Sequence, residues 1–133
     1  MKTIADHMRV MHSRPGTGKG LFAARPYTKG EFIVEYTGVK IPTKVADTLK
    51  TRYLFELDEK WTIDGNEHSN IARYINHSCE PNAESEIHDE HIFVTAIQDI
   101  AAGEEFTMDY GEEYFEEFIR PEGCKCRAAT HRV

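Results

Sequence analysis

The chain has 133 residues, of which 40% are hydrophobic and 29% charged, and its 16 basic and 23 acidic residues give a formal charge of −7. This length is typical of one domain that builds its own hydrophobic core. No apolar run approaches the ~20 residues of a membrane-spanning helix, and we expect no secretory signal because an apolar N-terminal segment is missing. The odd number of cysteines, three, argues against a disulfide framework and for a reducing compartment, so we expect a cytoplasmic protein.

The pattern of residues along the chain predicts many short strands and few helices. Three hairpins are expected, formed by residues 20–24 with 31–36, by 53–57 with 61–64, and by 85–88 with 91–96. A further short strand is expected at 105–108, a weak helix at 43–52 and an amphipathic helix at 112–119. These elements predict a mainly β domain made of small curved sheets.

The charges are unevenly distributed along the chain. Residues 1–52 carry a net charge of +6, residues 53–117 carry −16, and residues 118–133 carry +3. Seven acids and no Lys or Arg fall within 104–117. Such a run is either a solvated face or a field that attracts a basic partner. Because phosphate binding needs clustered Lys and Arg, we expect no direct contact with nucleic acid there.

The segment Ser13–Gly20 superficially resembles a phosphate-binding loop of the form G-x-x-x-x-G-K-[ST]. Counting back from Lys19, the first glycine of that motif falls on Ser13 and its hydroxyl position falls on Gly20. Since both required residues are absent, the sequence argues against a nucleotide triphosphatase. Gly18 and Gly20 fit either an ordinary turn or a close approach of the backbone to another group.

Residues 70–82 place polar side chains densely among apolar ones. His77 and Cys79 resemble a cysteine nucleophile with its base, but the sequence places no further His or Asp to orient them. This density favours a buried hydrogen-bond network or a ligand shell. Near the C-terminus, Cys124, Cys126 and His131 supply three zinc ligands, and Cys79 would complete the tetrahedron. A small zinc-binding adaptor is one interpretation of these cysteines.

Four segments, in this order, resemble the motifs of SET-domain protein-lysine methyltransferases. Gly18–Ala23 is similar to the G-x-G opening, Tyr36–Gly38 to Y-x-G, Arg73–Asn82 to R-[FY]-[IL]-N-H-S-C-x-P-N, and Glu104–Gly111 to E-E-[LF]-T-x-D-Y-G. The resemblance implies short curved β-sheets, few short helices, and a pseudoknot formed by the N-H-S segment and the C-terminal strand. It implies a SET domain at 1–111, with a helix and post-SET-like tail at 112–133 in the same structural unit. The short insert between Gly38 and Tyr53 resembles minimal bacterial or viral forms.

The resemblance also implies the activity, which is transfer of a methyl group from S-adenosylmethionine to the ε-amine of a protein lysine. Cofactor binding is implied for the backbone at Lys19, Gly20 and Leu21 and for the side chains of Tyr53, Arg73, Asn76 and His77. Tyr36 and Tyr110 would line the lysine channel as catalytic residues, and Met108 would govern how many methyl groups are added. Taken alone, Tyr110 would be interpreted as a packing residue at a strand end.

Several alternatives follow from where the resemblance weakens. The family's zinc motif has a third cysteine where this chain has His131, so the tail either binds zinc through Cys79, Cys124, Cys126 and His131 or is metal-free. The rival function is a non-catalytic SET-fold module that binds basic tails. The expected partner is a basic, lysine-containing protein or peptide tail, histone or histone-like, with no nucleic acid and no membrane. The oligomeric state stays open, a dimer included, and delivery into a host cell or nucleus is the alternative location.

Overall fold

The computed structural model describes residues 2–4, 7–13, 18–49, 53–67 and 69–109. Within these residues the chain forms eleven strands, one α-helix and one 3₁₀-helix. The strands are β1 (Lys2–Ile4), β2 (Met8–His12), β3 (Lys19–Ala23), β4 (Phe32–Tyr36), β5 (Val39–Pro42), β6 (Leu54–Glu56), β7 (Trp61–Asp64), β8 (Asn76–His77), β9 (Ala83–His88), β10 (His91–Ala96) and β11 (Thr107–Met108). The helices are α1 (Thr43–Ala46) and the 3₁₀-helix Ile71–Tyr74. The predicted mainly β architecture is confirmed.

The strands are divided among three small sheets. The first has the order β1-β2-β3, the central one β4-β10-β9-β11-β8, and the third β5-β7-β6. Pairing is antiparallel except at β11, which runs parallel to both of its neighbours, β8 and β9. A central sheet that ends with β11 and β8 brings the N-H-S segment beside the last described strand, as the resemblance predicts.

The link between β8 and β9 crosses β11. Both β8 and β9 meet β11 at Met108, one on each side, so residues 78–82 must pass over the strand that lies between them. The crossing is held by Asn82, whose Oδ1 accepts from Thr107 N at 2.9 Å and whose Nδ2 donates to Glu105 O at 2.9 Å. This crossing is the part of the predicted pseudoknot that falls within the described residues.

The hairpins predicted at 53–64 and 85–96 both form, and the first strand of the second one, β9, begins earlier than predicted, at Ala83. In β10, Ile92, Val94 and Ala96 are buried while the residues between them face outward, which is the alternation of a half-buried strand. The turn before it places Asp89 at φ 49° and Glu90 at φ 66°, the left-handed conformation that a two-residue hairpin turn needs. The predicted strands at 20–24 and 31–36 also form, but they belong to different sheets, β3 to the first and β4 to the central one.

The helix expected over 43–52 is a single turn, α1, followed by turn residues. Thr43 and Ala46 are buried, but Val45 and Leu49 are exposed, so no apolar stripe continues toward the core. A helix this short is stabilised by its packing, because isolated turns are unstable. The expected helix at 112–119 and the whole of 112–133 lie outside the described residues, and no helix of the described part is long and apolar enough to span a membrane.

The core draws side chains from all three sheets and closes beside β11. Leu21 of β3, Ile92 and Val94 of β10, and Ile75 just before β8 are almost completely buried. Phe106, which precedes β11, is also fully buried and contacts Tyr27 edge-to-face at a centroid distance of 5.2 Å. The strands that carry the four SET-like motifs are therefore anchored by core residues immediately next to them.

Candidate functional site

Asn76 joins three segments that are far apart in the sequence. Its Nδ2 donates to the carbonyl of Lys19 at 3.0 Å and to Oε2 of Glu105 at 2.7 Å. Because an amide nitrogen carries two hydrogens, both are engaged and the orientation of the side chain is fixed. The start of β3, the strand β8 and the residue before Phe106 therefore meet at one point.

Glu105 is a site residue that the sequence reasoning left without a role. Its Oε1 accepts from Ser13 Oγ at 2.8 Å, while its Oε2 accepts from Asn76. The Ser13 amide in turn donates to Gly18 O at 2.7 Å. Glu105 thus connects the loop before β3 to β8. The only signal in the sequence was its position in the E-E-F-T segment.

The two glycines around Lys19 serve different purposes. Gly18 has φ +70° and no heavy atom near its absent Cβ, so it is an ordinary left-handed turn residue. At Gly20 a Cβ would overlap the Glu105 carboxylate and would lie 3.2 Å from Asn76 Nδ2. The close approach predicted for this segment is therefore made by Gly20, and its partners are protein groups.

The predicted cofactor backbone at Lys19, Gly20 and Leu21 lies along one strand, β3. Lys19 is exposed, whereas the Leu21 side chain is completely buried in the core. The Lys19 carbonyl accepts from Asn76, and the Leu21 carbonyl accepts from Phe106 N at 2.8 Å. Since both carbonyls already accept a bond from the protein, we expect the N–H groups of this edge to be the better cofactor contacts.

Arg73 and Tyr53, both assigned to the cofactor by resemblance, lie against each other. The Arg73 guanidinium carbon is 4.4 Å from the centroid of the Tyr53 ring and 5.4 Å from that of Tyr74, both within cation–π range. Arg73 is positioned by the 3₁₀-helix Ile71–Tyr74, which packs on β3 and β4. Arg73 is separated from Asn76 by only two residues along the chain, so both side chains are positioned by the same short segment.

Tyr36 is held in place by its hydroxyl group. Oη donates to the carbonyl of Tyr53 at 2.8 Å, and the same carbonyl accepts from Gly65 N at 2.7 Å. The ring is buried and tilts against Phe55 at a centroid distance of 5.4 Å. The Tyr36 ring therefore lies next to Tyr53, and its channel-lining role stays a prediction.

His77 and Met108 are direct partners in the parallel β8–β11 pair, and both are buried. Asp109 follows Met108 and places its Oδ1 3.8 Å from His77 Nδ1, while Cys79 Sγ is 3.5 Å from His77 Nε2. Strand pairing brings Asp109 near this His–Cys pair from a distant part of the sequence. The 3.8 Å separation is longer than a hydrogen bond.

The dense polar segment forms the predicted buried network. Ser78 and Asn82 are buried, and Ser78 Oγ accepts from Glu80 N at 3.0 Å. Asn70, which is 1% exposed, accepts from Thr37 N at 3.0 Å and donates to Gly65 O at 3.0 Å. The two bonds of Asn70 fix the Y-x-G segment against Gly65 and the start of the dense polar segment.

Four assigned residues lie outside the described part of the chain: Tyr110, Cys124, Cys126 and His131. Among residues 2–109 that are described, no three His, Cys, Asp or Glu side chains come together as metal ligands. The catalytic assignment of Tyr110 and the zinc assignment therefore remain predictions.

Known proteins resemble the chain over most of its length. It is 33% identical over 137 residues to the histone-lysine N-methyltransferase trithorax of Drosophila virilis, an alignment that covers 94% of this chain and 4% of that protein. It is 40% identical over 105 residues to human histone-lysine N-methyltransferase 2B, which covers 70% of this chain and 4% of the relative. The chain thus spans only a small fraction of the curated relatives it matches.

Solved structures show the same fold at comparable identity. The crystal structure of the Chaetomium thermophilum polycomb repressive complex 2 superposes with a TM-score of 0.73 at 35% identity, covering 82% of this chain and 16% of that one. A structure of ctPRC2 in an autoinhibited conformation bound to S-adenosylmethionine gives a TM-score of 0.71 at 35% identity, covering 81% and 15%. The family model described as the SET domain matches residues 18–111. The chain therefore belongs to the SET-domain family.

Proposed function

We propose that the chain transfers a methyl group from S-adenosylmethionine to the ε-amine of a lysine in a protein substrate. The observation that carries this proposal is the meeting of Lys19, Asn76 and His77 with Met108 on adjoining strands. The three residues assigned to cofactor binding come from separate segments of the chain. They lie next to Met108, which is assigned to the side of the site that receives the lysine. The similarity to histone-lysine methyltransferases and to a structure bound to S-adenosylmethionine supports it.

The described residues fit this cofactor by their chemistry. We expect backbone N–H groups of β3 to contact the cofactor beside Gly20, whose absent Cβ lets the Glu105 carboxylate approach the strand. Arg73 provides a cation for a carboxylate, and the Tyr53 ring against it provides a flat apolar surface. We expect these two side chains, with Asn76 and His77, to form the cofactor contacts.

The chain's own task in the reaction is to orient a lysine and keep its amine neutral. A lysine in water has a pKa of about 10.4 and is a cation without a lone pair for attack. Exclusion of water beside the buried Tyr36 ring would disfavour the ammonium form, and the proton leaves to solvent before the new C–N bond forms. When bound, the cofactor would supply a methyl group activated on a sulfonium, and the S–CH3 bond would break to release a neutral thioether. Orientation of the amine in line with that group is the role proposed for Tyr110.

The proposed substrate is a lysine in a basic protein or peptide tail, of histone or histone-like character. The relatives are named as histone-lysine methyltransferases, and residues 53–117 carry the net charge of −16 that would favour a basic partner. Purified chain should transfer labelled methyl groups to lysine peptides on an array and leave arginine-substituted copies unlabelled. Cofactor binding without turnover on any peptide would instead support the non-catalytic module.

Zinc is a separate proposal, with Cys79, Cys124, Cys126 and His131 as ligands. Three thiolates and one imidazole form an acceptable tetrahedral set. Metal analysis of protein purified without chelator should then give one zinc per chain, and Cys124→Ser should lower it. A zinc content clearly below one per chain would show that the tail is metal-free.

The three cysteines support action in a reducing compartment, and we propose the cytoplasm. Fractionation of the source cells with an antibody to the chain tests this. Detection of the chain in the secreted fraction or in the nucleus of a host cell would instead favour delivery to another cell.

A further inference from the structure

The central sheet has an outward side that the proposed methyl-transfer site does not use. Because alternate residues of β10 are buried, His91, Phe93 and Thr95 point outward. Cross-strand partners share a side of the sheet, so the register adds residues from β9 and β4. The surface, termed the outer face, consists of Phe32, Glu35, Glu84, Glu86, His91 and Phe93.

Aromatic rings run along the middle of the outer face. Phe32 is 52% exposed and contacts Phe93 edge-to-face at a centroid distance of 5.9 Å. His91 stacks on Phe93 at 5.9 Å with an interplanar angle of 9°. The rings form a continuous strip, so the exposed Phe32 is part of an apolar patch rather than an isolated surface residue.

Carboxylates flank this strip on both sides. Glu86 and Glu35 are the two cross-strand partners of Phe93, and Glu84 is the partner of the neighbouring Thr95. Glu35 contacts His91 Nδ1 at 2.8 Å, and Glu86 contacts His88 Nε2 at 3.0 Å. The outer face therefore holds three carboxylates beside its aromatic rings.

The carboxylates just beyond the outer face pair with an Arg or a Lys, whereas two of those on it, Glu35 and Glu86, pair with histidines. Arg25 pairs with Glu31 at 2.6 Å, and Lys40 pairs with Glu90 at 3.0 Å. In the described part of the chain, no Lys or Arg pairs with the three carboxylates of the outer face. The local negative charge is thus available to a partner.

We infer that the outer face is a docking surface for a lysine- and arginine-rich segment of another protein. Cationic heads would pair with the carboxylates while their aliphatic stems and guanidinium planes pack on the exposed ring of Phe32. A second copy of the chain fits poorly, because a two-fold contact would oppose the same carboxylates. Nucleic acid and anionic membranes would be repelled. The binding needs neither cofactor nor turnover, so it is independent of the proposed reaction.

The test uses a fluorescein-labelled peptide of Lys, Arg, Gly and Ser, with an equally long peptide of Glu, Asp, Gly and Ser as the reverse-charge probe. Anisotropy is measured without cofactor, at low salt and at ~0.15 M. The double variant Glu84→Gln with Glu86→Gln should bind about three- to tenfold more weakly than the wild type, with a smaller salt dependence. Phe32→Ser should also weaken binding. The matched control is Glu59→Gln with Glu67→Gln, which alters two exposed carboxylates elsewhere.

Four outcomes would overturn the inference. The first is that the basic peptide binds no better than the acidic one, and the second is that the outer-face double variant binds like its control. The third is sedimentation showing a dimer of the wild type that Phe32→Ser dissolves, since the face would then join two copies. Turnover on a short lysine peptide should be equal in both double variants. Loss of turnover only in the outer-face variant would place its carboxylates in the reaction site instead.

Discussion

Single side chains in the site are oriented by hydrogen bonds that leave little choice of geometry. Both amide hydrogens of Asn76 and both carboxylate oxygens of Glu105 are engaged, and the hydroxyl of Tyr36 is committed to Tyr53 O. Removing a hydroxyl that stabilises the fold should lower the unfolding free energy, whereas removing a hydroxyl that acts on the reacting amine should lower turnover. The two assigned tyrosines, Tyr36 and Tyr110, allow that comparison.

We predict that Tyr110→Phe lowers turnover by on the order of a hundredfold while cofactor affinity stays near the wild-type value. The reason is that its hydroxyl is proposed to act on the amine and the transferring methyl. The comparison variant, Tyr36→Phe, removes the 2.8 Å bond to Tyr53 O and should cost about 1 kcal/mol of unfolding free energy. Calorimetry on both variants measures cofactor affinity and unfolding free energy, and turnover assays measure the rate of methyl transfer. A collapse of cofactor binding in Tyr110→Phe would show that its role is wrongly assigned.

The number of methyl groups added is predicted to depend on Met108. Methionine has no hydroxyl to hold a methylated amine in one orientation, and its flexible side chain can yield space. We therefore expect di- or trimethylation, and Met108→Tyr should shift the product toward monomethylation. Mass spectrometry of a peptide at long reaction times measures this. A wild-type enzyme that stops at one methyl, or a variant altered only in stability, would contradict the prediction.

Among the elements, the crossing of 78–82 over β11 depends most on one residue. We predict that Asn82→Ala lowers the unfolding free energy by about 2–4 kcal/mol, because Thr107 N and Glu105 O lose their partner in a buried place. Urea titration measures the change, with Ser85→Ala on the exposed part of β9 as the control. An effect no larger than that of the control would mean that the crossing is held by other contacts.

The hairpins could be predicted from the sequence because their signals are local. Alternating residues from His91 to Ala96 and the turn at Asp89 and Glu90 suffice to define β10 and its partner. β8 and β11 have two residues each, and they are strands because of pairing across the fold, β8 with β11 and β11 with both β8 and β9. The same holds for site residues. Motif resemblance located Asn76 and Arg73, but the bonds of Glu105 to Ser13 and Asn76 depend on tertiary contacts that no local pattern contains.

For the whole molecule, stability should fall in acid through Glu31. Its hydrogen bond from Arg25 and its bond from Thr28 N lower the pKa of the Glu31 carboxyl below its usual value. A lowered pKa in the folded state stabilises the protein above the unfolded pKa of about 4.3, and this contribution is lost as the pH falls through the folded value. The melting temperature of Glu31→Gln should therefore depend less on pH between about 5 and 3 than that of the wild type. Glu59→Gln, an exposed control, should keep the wild-type profile, and equal profiles for all three proteins would refute the assignment.

The position of β11 between β8 and β9 also dictates when the protein can become functional during its synthesis. In the described sheet β11 is the only strand beside β8, so Asn76 and His77 cannot be held in register until residues 107–108 have left the ribosome. β11, the last strand of the described residues, must then enter beneath a segment that was made earlier, which is a non-local and therefore slow event. We expect nascent chains to hold a folded β9–β10 hairpin while they are still unable to retain the cofactor. Cofactor retention would begin only after β11 has taken its place between β8 and β9.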